Sequence, residues 1–268
     1  ADYIASGRAL SFIEDFVREQ VLPRYANTHS ESSGTGLQTT RLREDARAII
    51  HSAVHGTEDT VVIFTGSGST AAINKIVGIL GLRIPADLDR KYALSAQIPA
   101  AERPVVFIGP YEHHSNELPW RESIADVVTI HENADGHIDM VHLEAELIRF
   151  AARPLKIGSF SAASNVTGIL TDTKAITALL HAHDALAFWD YAAAAPYIDI
   201  DASGEDAIFI SPHKFIGGPG TPGVLIVNRR LLSNSVPEAV GGGTVAYVNP
   251  QMHRYITDAA HREEAGTP

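Results

Sequence analysis

The chain has no cysteine among its 268 residues. This excludes disulfides, Cys-ligated zinc and a cysteine nucleophile within it. Basic residues are scarce as well, with 21 Lys and Arg against 32 Asp and Glu and a net charge of −11. That balance argues against broad nucleic-acid or anionic-membrane binding, although a local anion pocket is compatible with it. No apolar run reaches the roughly 18 residues of a transmembrane helix. Residues Ala1 to Gly7 lack the basic-then-apolar layout of a signal peptide, so the expectation is a soluble, cytoplasmic protein. Hydrophobic residues make up 45%, enough for a sizeable core in one large domain or two small ones.

Apolar spacing at Leu10, Ile13, Phe16, Val17 and Val21 predicts a helix ended by Pro23. From Tyr25 to Thr40 the chain is rich in Ser, Thr, Gly and Asn and reads as a long, functional loop. A second helix is expected from Arg41 to about His55. Thereafter β-rich runs (Val61–Thr65, Pro104–Ile108, Val127–Ile130, Lys156–Phe160, Ala187–Asp190, Ala207–Ile210, Val224–Val227) alternate with helical patterns at Thr70–Leu80, Met140–Phe150 and Thr173–His183. Such alternation predicts an α/β fold with a mostly parallel sheet covered on both faces, its ligands beyond the carboxyl ends of the strands. Residues Ile84 to Arg103 read as a surface excursion.

Four segments carry candidate chemistry. Gly66-Ser67-Gly68-Ser69-Thr70 lies between a strand and a helix, where glycines and free N–H groups suit a phosphate. The same residues, with Ala71 and the later Asp87 and Asp89, match a dinucleotide fingerprint, and a simple capped turn is the third reading. In Ser211-Pro212-His213-Lys214, followed by Gly217-Gly218-Pro219-Gly220, a lysine falls just past a strand end among small residues. A partly desolvated amine there can form a Schiff base; a solvated loop lysine is the bland alternative. Asp190 ends an apolar strand, where a buried carboxylate needs a cationic partner, or caps a helix formed by the following alanines. The histidines of Glu112-His113-His114-Ser115-Asn116 can stack on an aromatic cofactor or move protons. No metal site is expected: His51 and His55 lack the zincin glutamate, and His181 and His183 close a helix.

Together these segments resemble the class V aminotransferase family, the cysteine desulfurase and selenocysteine lyase-like branch of fold-type I pyridoxal-phosphate enzymes. The resemblance runs from Asp2-Tyr3 and Ala5-Ser6 through Gly68–Asn74, Glu112–Trp120, Ser164–Gly168, Asp190 and Ser211–Gly220 to Glu264–Pro268. It implies a three-layer large domain over residues 61–268, preceded by a helical segment and substrate-side loop over 1–60, with the smaller C-terminal domain of relatives absent. Pyridoxal 5'-phosphate is the implied cofactor, held by Lys214 as a Schiff base. Asp190 would pair with the pyridine nitrogen, His113 would stack on the ring, and Asn165 would lie near the phenolic oxygen. Gly68, Ser69, Thr70, Ser211 and His213 would cradle the phosphate. Thr267 would reach the neighbouring subunit's phosphate, which implies a homodimer with shared sites. Lys214, His113 and Asp190 are the expected catalytic residues, the substrate an amino acid, and the reaction desulfurase- or lyase-like with a sulfur acceptor as partner. Aminotransferase, epimerase or kynureninase-like chemistry, or a weak cofactor-binding dimerisation module, are the alternatives. One departure stands out: Ala193 occupies the position where the family often has a glutamine donor.

Overall fold

The computed structural model describes residues 3–29 and 32–267. Asp2 and Pro268, named above in the family resemblance, lie outside them. The helix expected from Leu10 to Val21 forms as α1 (Ser11–Phe16), continued by a wider π turn and a short 3-10 turn that contains Pro23. The next helix begins earlier than the sequence predicts. α2 spans Gly34–Ala53, because Ser33 caps it by accepting from Gly36 N at 3.1 Å. Thr40 and Arg43 on its surface are buried by tertiary packing that overrides two glycines in the first turn.

The remaining elements follow the expected alternation: β1 (Thr60–Thr65), α3 (Gly68–Ile79), α4 (Ala86–Tyr92), β2 (Val105–Ile108), α5 (Leu118–Arg121), β3 (Asp126–Thr129) and α6 (Met140–Arg149). Then come β4 (Lys156–Ser161), α7 (Thr173–Ala182), β5 (Leu186–Asp190), β6 (Ala207–Ile210), β7 (Gly223–Asn228), a hairpin of β8 (Val245–Val248) and β9 (His253–Tyr255), and α8 (Ala259–Arg262). The sheet order is β1-β7-β6-β5-β4-β2-β3. β7 runs antiparallel to β1 and to β6, and the other neighbouring pairs are parallel. Having β1 at an edge beside an antiparallel strand is not the doubly wound dinucleotide order. Asp87 and Asp89 are also taken up locally, by Arg90 and by Ser95. The dinucleotide reading therefore falls.

Side-chain alternation with period two sends successive residues of each strand to opposite faces. Val62, Phe64, Phe107, Trp189 and Ile208 face a layer that includes Leu143 and Leu147 of α6 and Ile176 and Leu180 of α7. Val61, Ile63, Ile108, Phe188 and Phe209 face the layer of α3, Trp120 of α5, and α8. Both faces are covered, giving three layers. Among the described residues no helix is long and apolar enough to cross a membrane.

Polar contacts tie the last described segment to the front of the sheet. Glu44 on α2 accepts from Arg43 Nε and Arg47 Nε at 3.0 Å each and from His261 Nε2 at 3.1 Å. Burial would raise its carboxyl, but the Arg47 and His261 contacts outweigh it and hold the group at about 2. A depressed folded value contributes stability that is complete above the unfolded value of about 4.5 and lost as pH falls toward 2. Thermal unfolding from pH 5 to pH 2 should show this loss, and Glu44→Gln should make the curve shallower.

Candidate active site

Five strand ends and the chain's first described residues converge on one cavity of about 400 Å³. Gly68, Ser69 and Thr70 form one wall, where β1 gives way to the first turn of α3. Gly68 has φ +58°, and a Cβ there would come within 2.8 Å of both His213 Cε1 and Ser211 Oγ. Ser69 N donates to Ser211 Oγ at 2.8 Å, which joins the α3 terminus to the turn after β6. The result is a narrow cradle of backbone N–H groups and hydroxyls, chemically suited to an anion. Gly223 on β7 backs it, since a Cβ at that position would lie 2.1 Å from Gly68 O. Gly223→Ala should therefore cost about 3 kcal/mol of stability and displace the cradle, measurable by urea unfolding together with loss of phosphate-ester binding.

Lys214 closes a 3-10 turn over Pro212–Lys214, with its N–H donating to Ser211 O at 3.0 Å. The chain's beginning folds over this turn: Gly7 N donates to His213 O at 2.8 Å, and Ile4 and Ala5 line the cavity. Burial and the neighbouring Lys214 charge both lower the His213 pKa, so that imidazole is neutral near pH 7.

Asp190 ends β5, 3% exposed, and its Oδ1 accepts from Ala192 N at 2.9 Å. The alanines after it form turns rather than a helix, so the helix-capping reading of Asp190 does not hold. Burial pushes its carboxyl up, opposed by the Ala192 N–H and by the Lys214 charge. A carboxylate held this way is best satisfied by a cation placed in the cavity.

His113 precedes a 3-10 turn, and its Nδ1 accepts from Ser115 N at 3.2 Å. That contact leaves the ring proton on Nε2. Ser115 Oγ lies 3.0 Å from Nδ1 and 2.7 Å from Thr70 Oγ1, so a hydroxyl bridge joins His113 to the anion cradle. Asn165 and Ala193 also line the cavity.

The structure thus brings together every candidate residue except Thr267. Within this chain the Thr267 hydroxyl instead accepts from Thr28 N at 3.2 Å. Sequence reasoning assigned no role to Ser115, Ser161 or Glu112, which complete the walls or stand behind them. The carboxylate of Glu112 was visible in the motif, but which strand it would face was not.

A polar hollow of about 520 Å³ lies at the opposite ends of the strands. Its Asp206 is already paired, accepting from His181 Nε2 at 2.8 Å, from Ala187 N at 2.9 Å and from Arg230. The cavity at the carboxyl ends is the one on which the candidate residues converge, where α/β sheets place ligands.

A three-layer sheet with a lysine, a buried aspartate and a helix-terminal cradle at one end defines a class of protein. By a match of residues 5–268 to the aminotransferase class-V model, the chain belongs to that family. It is 28% identical over 268 residues to a probable cysteine desulfurase of Halalkalibacterium halodurans, an alignment covering 96% of this chain and 58% of the relative. A probable cysteine desulfurase of Mycobacterium leprae is 32% identical over 170 residues, 61% of this chain and 39% of that one. Among solved structures, the apo cysteine desulfurase of Thermococcus onnurineus superposes with a TM-score of 0.80 at 21% identity, covering 100% of this chain and 62% of that one. An Escherichia coli cysteine desulfurase gives 0.75 at 25% identity, with 100% and 63% covered. The chain therefore spans about three fifths of the length of the Halalkalibacterium, Thermococcus and Escherichia coli proteins.

Proposed function

We propose that this chain carries the cofactor-binding part of a pyridoxal 5'-phosphate-dependent enzyme that acts on an amino acid with cysteine desulfurase-like chemistry. The observation that carries this reading is the joint placement of Lys214, Asp190, His113 and the Gly68–Thr70 cradle around one cavity. The cradle fits a phosphate ester, because a Cβ at Gly68 would crowd His213 and Ser211 and because Ser69, Thr70 and Ser211 line the cavity there. Asp190 fits a protonated ring nitrogen for the reason given above: a buried carboxylate facing the cavity needs a cation. Bound there, pyridoxal phosphate supplies an electron sink for charge developing at the amino acid's α-carbon.

The chain's own residues have distinct tasks in this reading. Lys214 Nζ would be the group that holds the cofactor covalently, and its amine would take and return a proton at the substrate α-carbon. His113, on the cavity wall, would lie against the bound ring and offer its Nε2 proton. Ser69, Thr70, Ser211 and His213 hold the phosphate, with Asn165 beside the ring oxygen. Residues 61–268 form the cofactor-binding domain, and the segment 1–60 supplies the substrate side, consistent with Ile4 and Ala5 in the cavity wall. We also assign a homodimer with shared sites, supported by the family match and by Thr267 bonding Thr28 rather than lining its own cavity. Since the chain contains no cysteine, any sulfur acceptor is supplied from outside these 268 residues, or sulfur leaves by direct elimination.

The test is the visible absorbance of the protein with added pyridoxal phosphate, followed by borohydride reduction, peptide mapping and assay with cysteine. A yellow species trapped on the Lys214 peptide is the expected result. Trapping on another lysine, or none on folded protein, would overturn the assignment.

A further inference from the structure

Glu112 stands behind the cavity wall with an unusually complete set of donors. Its Oε1 accepts from Gly109 N at 3.2 Å and Ser161 N at 3.0 Å. Its Oε2 accepts from Asn116 Nδ2 at 2.8 Å and from the Ser161 hydroxyl at 2.6 Å. The Asn116 amide cannot turn over, because its Oδ1 already accepts from Ser159 Oγ at 2.6 Å and from Trp120 Nε1 at 3.2 Å. Three of the four donors are therefore fixed. The fourth, the Ser161 hydroxyl, can rotate.

Ser161 ends β4 directly opposite Asp190 on β5, and it lines the cavity. Two hydrogen-bond patterns satisfy the whole cluster. With Glu112 ionised, Ser161 donates to Oε2 and shows the cavity only lone pairs. With a proton on Oε2, that oxygen keeps one lone pair for Asn116 and donates to Ser161 Oγ. Ser161 then keeps its own hydrogen and turns it toward the cavity. No buried group loses a partner in either state, so the proton changes what the wall offers rather than whether it is satisfied.

We propose that Glu112 and Ser161 form a proton-operated donor switch in the cavity wall, in which proton uptake by Glu112 converts Ser161 from acceptor to donor toward an anionic oxygen of the bound molecule. Glu112 is thus a positioning residue that acts through Ser161. Burial, with a further contribution from the Asp190 charge, outweighs the donors from Ser161 and Asn116 and pushes the Glu112 carboxyl up to about 7. The charged and titratable groups around it are Asp190 on β5, with Lys214 beyond, and Tyr111 and His113 on its own loop. The switch deepens the function proposed above and rests on it for the identity of the occupant.

The first measurement needs no cofactor. Infrared spectra of the chain from pH 5 to pH 9 should contain a protonated carboxyl band with a midpoint near 7. The band is assigned to Glu112 by its loss in Glu112→Gln and, independently of whether that variant folds, by its shift in Ser161→Ala. Removing the Ser161 hydroxyl takes a charge-assisted donor from the ionised form and a weaker acceptor from the protonated form, so the midpoint should rise, by up to about one pH unit, and Ser161→Thr should restore it. In the second measurement, pyridoxal phosphate affinity of the wild type should fall by about tenfold across the same midpoint. In Ser161→Ala it should be flat. A wild-type midpoint below pH 5, the same midpoint in Ser161→Ala, or a persistent affinity drop in that variant would overturn the switch. A normal carboxyl titration in a chain that binds no pyridoxal phosphate supports the switch and overturns the cofactor assignment instead.

Discussion

Lys214→Ala abolishes borohydride trapping of pyridoxal phosphate and lowers any amino-acid turnover by at least about 10³-fold, while the protein unfolds within about 0.5 kcal/mol of wild type. The two parts of this expectation have different causes. The turn that presents Lys214 is held by main-chain bonds, Lys214 N to Ser211 O and Gly7 N to His213 O, which alanine leaves in place. What disappears is the amine itself, and no other side chain on the cavity wall can supply one. Peptide mapping after reduction, with a urea unfolding curve on the same preparation, checks both. A trapped peptide of unchanged yield in the variant would place the reactive lysine elsewhere.

Glu264→Ala should lower stability by about 3–5 kcal/mol, although the residue lies outside the site. The Glu264 side chain is 2% exposed and takes both terminal nitrogens of Arg47, at 2.9 and 2.8 Å. It also accepts from Phe64 N at 2.6 Å and lies 3.7 Å from Arg43. Removing it leaves a strand N–H without its acceptor and two guanidinium groups with only the partly exposed Glu44 to share, and weakly compensated charge held away from water costs more than the pair contributed. Urea unfolding measures the loss. If the double variant Arg47→Leu, Glu264→Leu is no more stable than Glu264→Ala, stranded charge is not the cause.

How far the sequence could be read depended on whether the relevant signal was local. Most strands of the large sheet announced themselves as short apolar runs bounded by turn residues, which burial on both faces demands, while Lys156–Ser161 alternates apolar with small polar residues. Lys214, Asp190, His113 and the Gly68 turn were legible because each sits just past a strand end, the place where this architecture collects its ligand-binding groups. The start of α2 was not legible. Gly34-Thr35-Gly36 has the composition of a loop, and only the Ser33 cap and the burial of Arg43 against Glu264 make it helical. The β8–β9 hairpin was missed because its residues are largely exposed and lack a strong alternating pattern. Glu112 and Ser161 are 49 residues apart, and nothing in either segment signals that the two side chains will meet. Pairings of this kind are decided by strand order, which periodicity does not encode.

The position of β7 has a consequence for how the protein comes into being. β1 reaches the rest of the sheet only through β7, so the Gly68 turn has nothing to dock on until residues 223–228 exist and have paired. The Ser69–Ser211 bond that closes the cradle joins residues 142 apart in sequence. Closing so long a loop is slow and comes late in folding. On the ribosome the first four parallel strands can assemble while the anion cradle is still half made. Cofactor capture should therefore coincide with completion of the sheet, and a nascent chain stalled before β7 should be unable to retain pyridoxal phosphate however much of its core has formed.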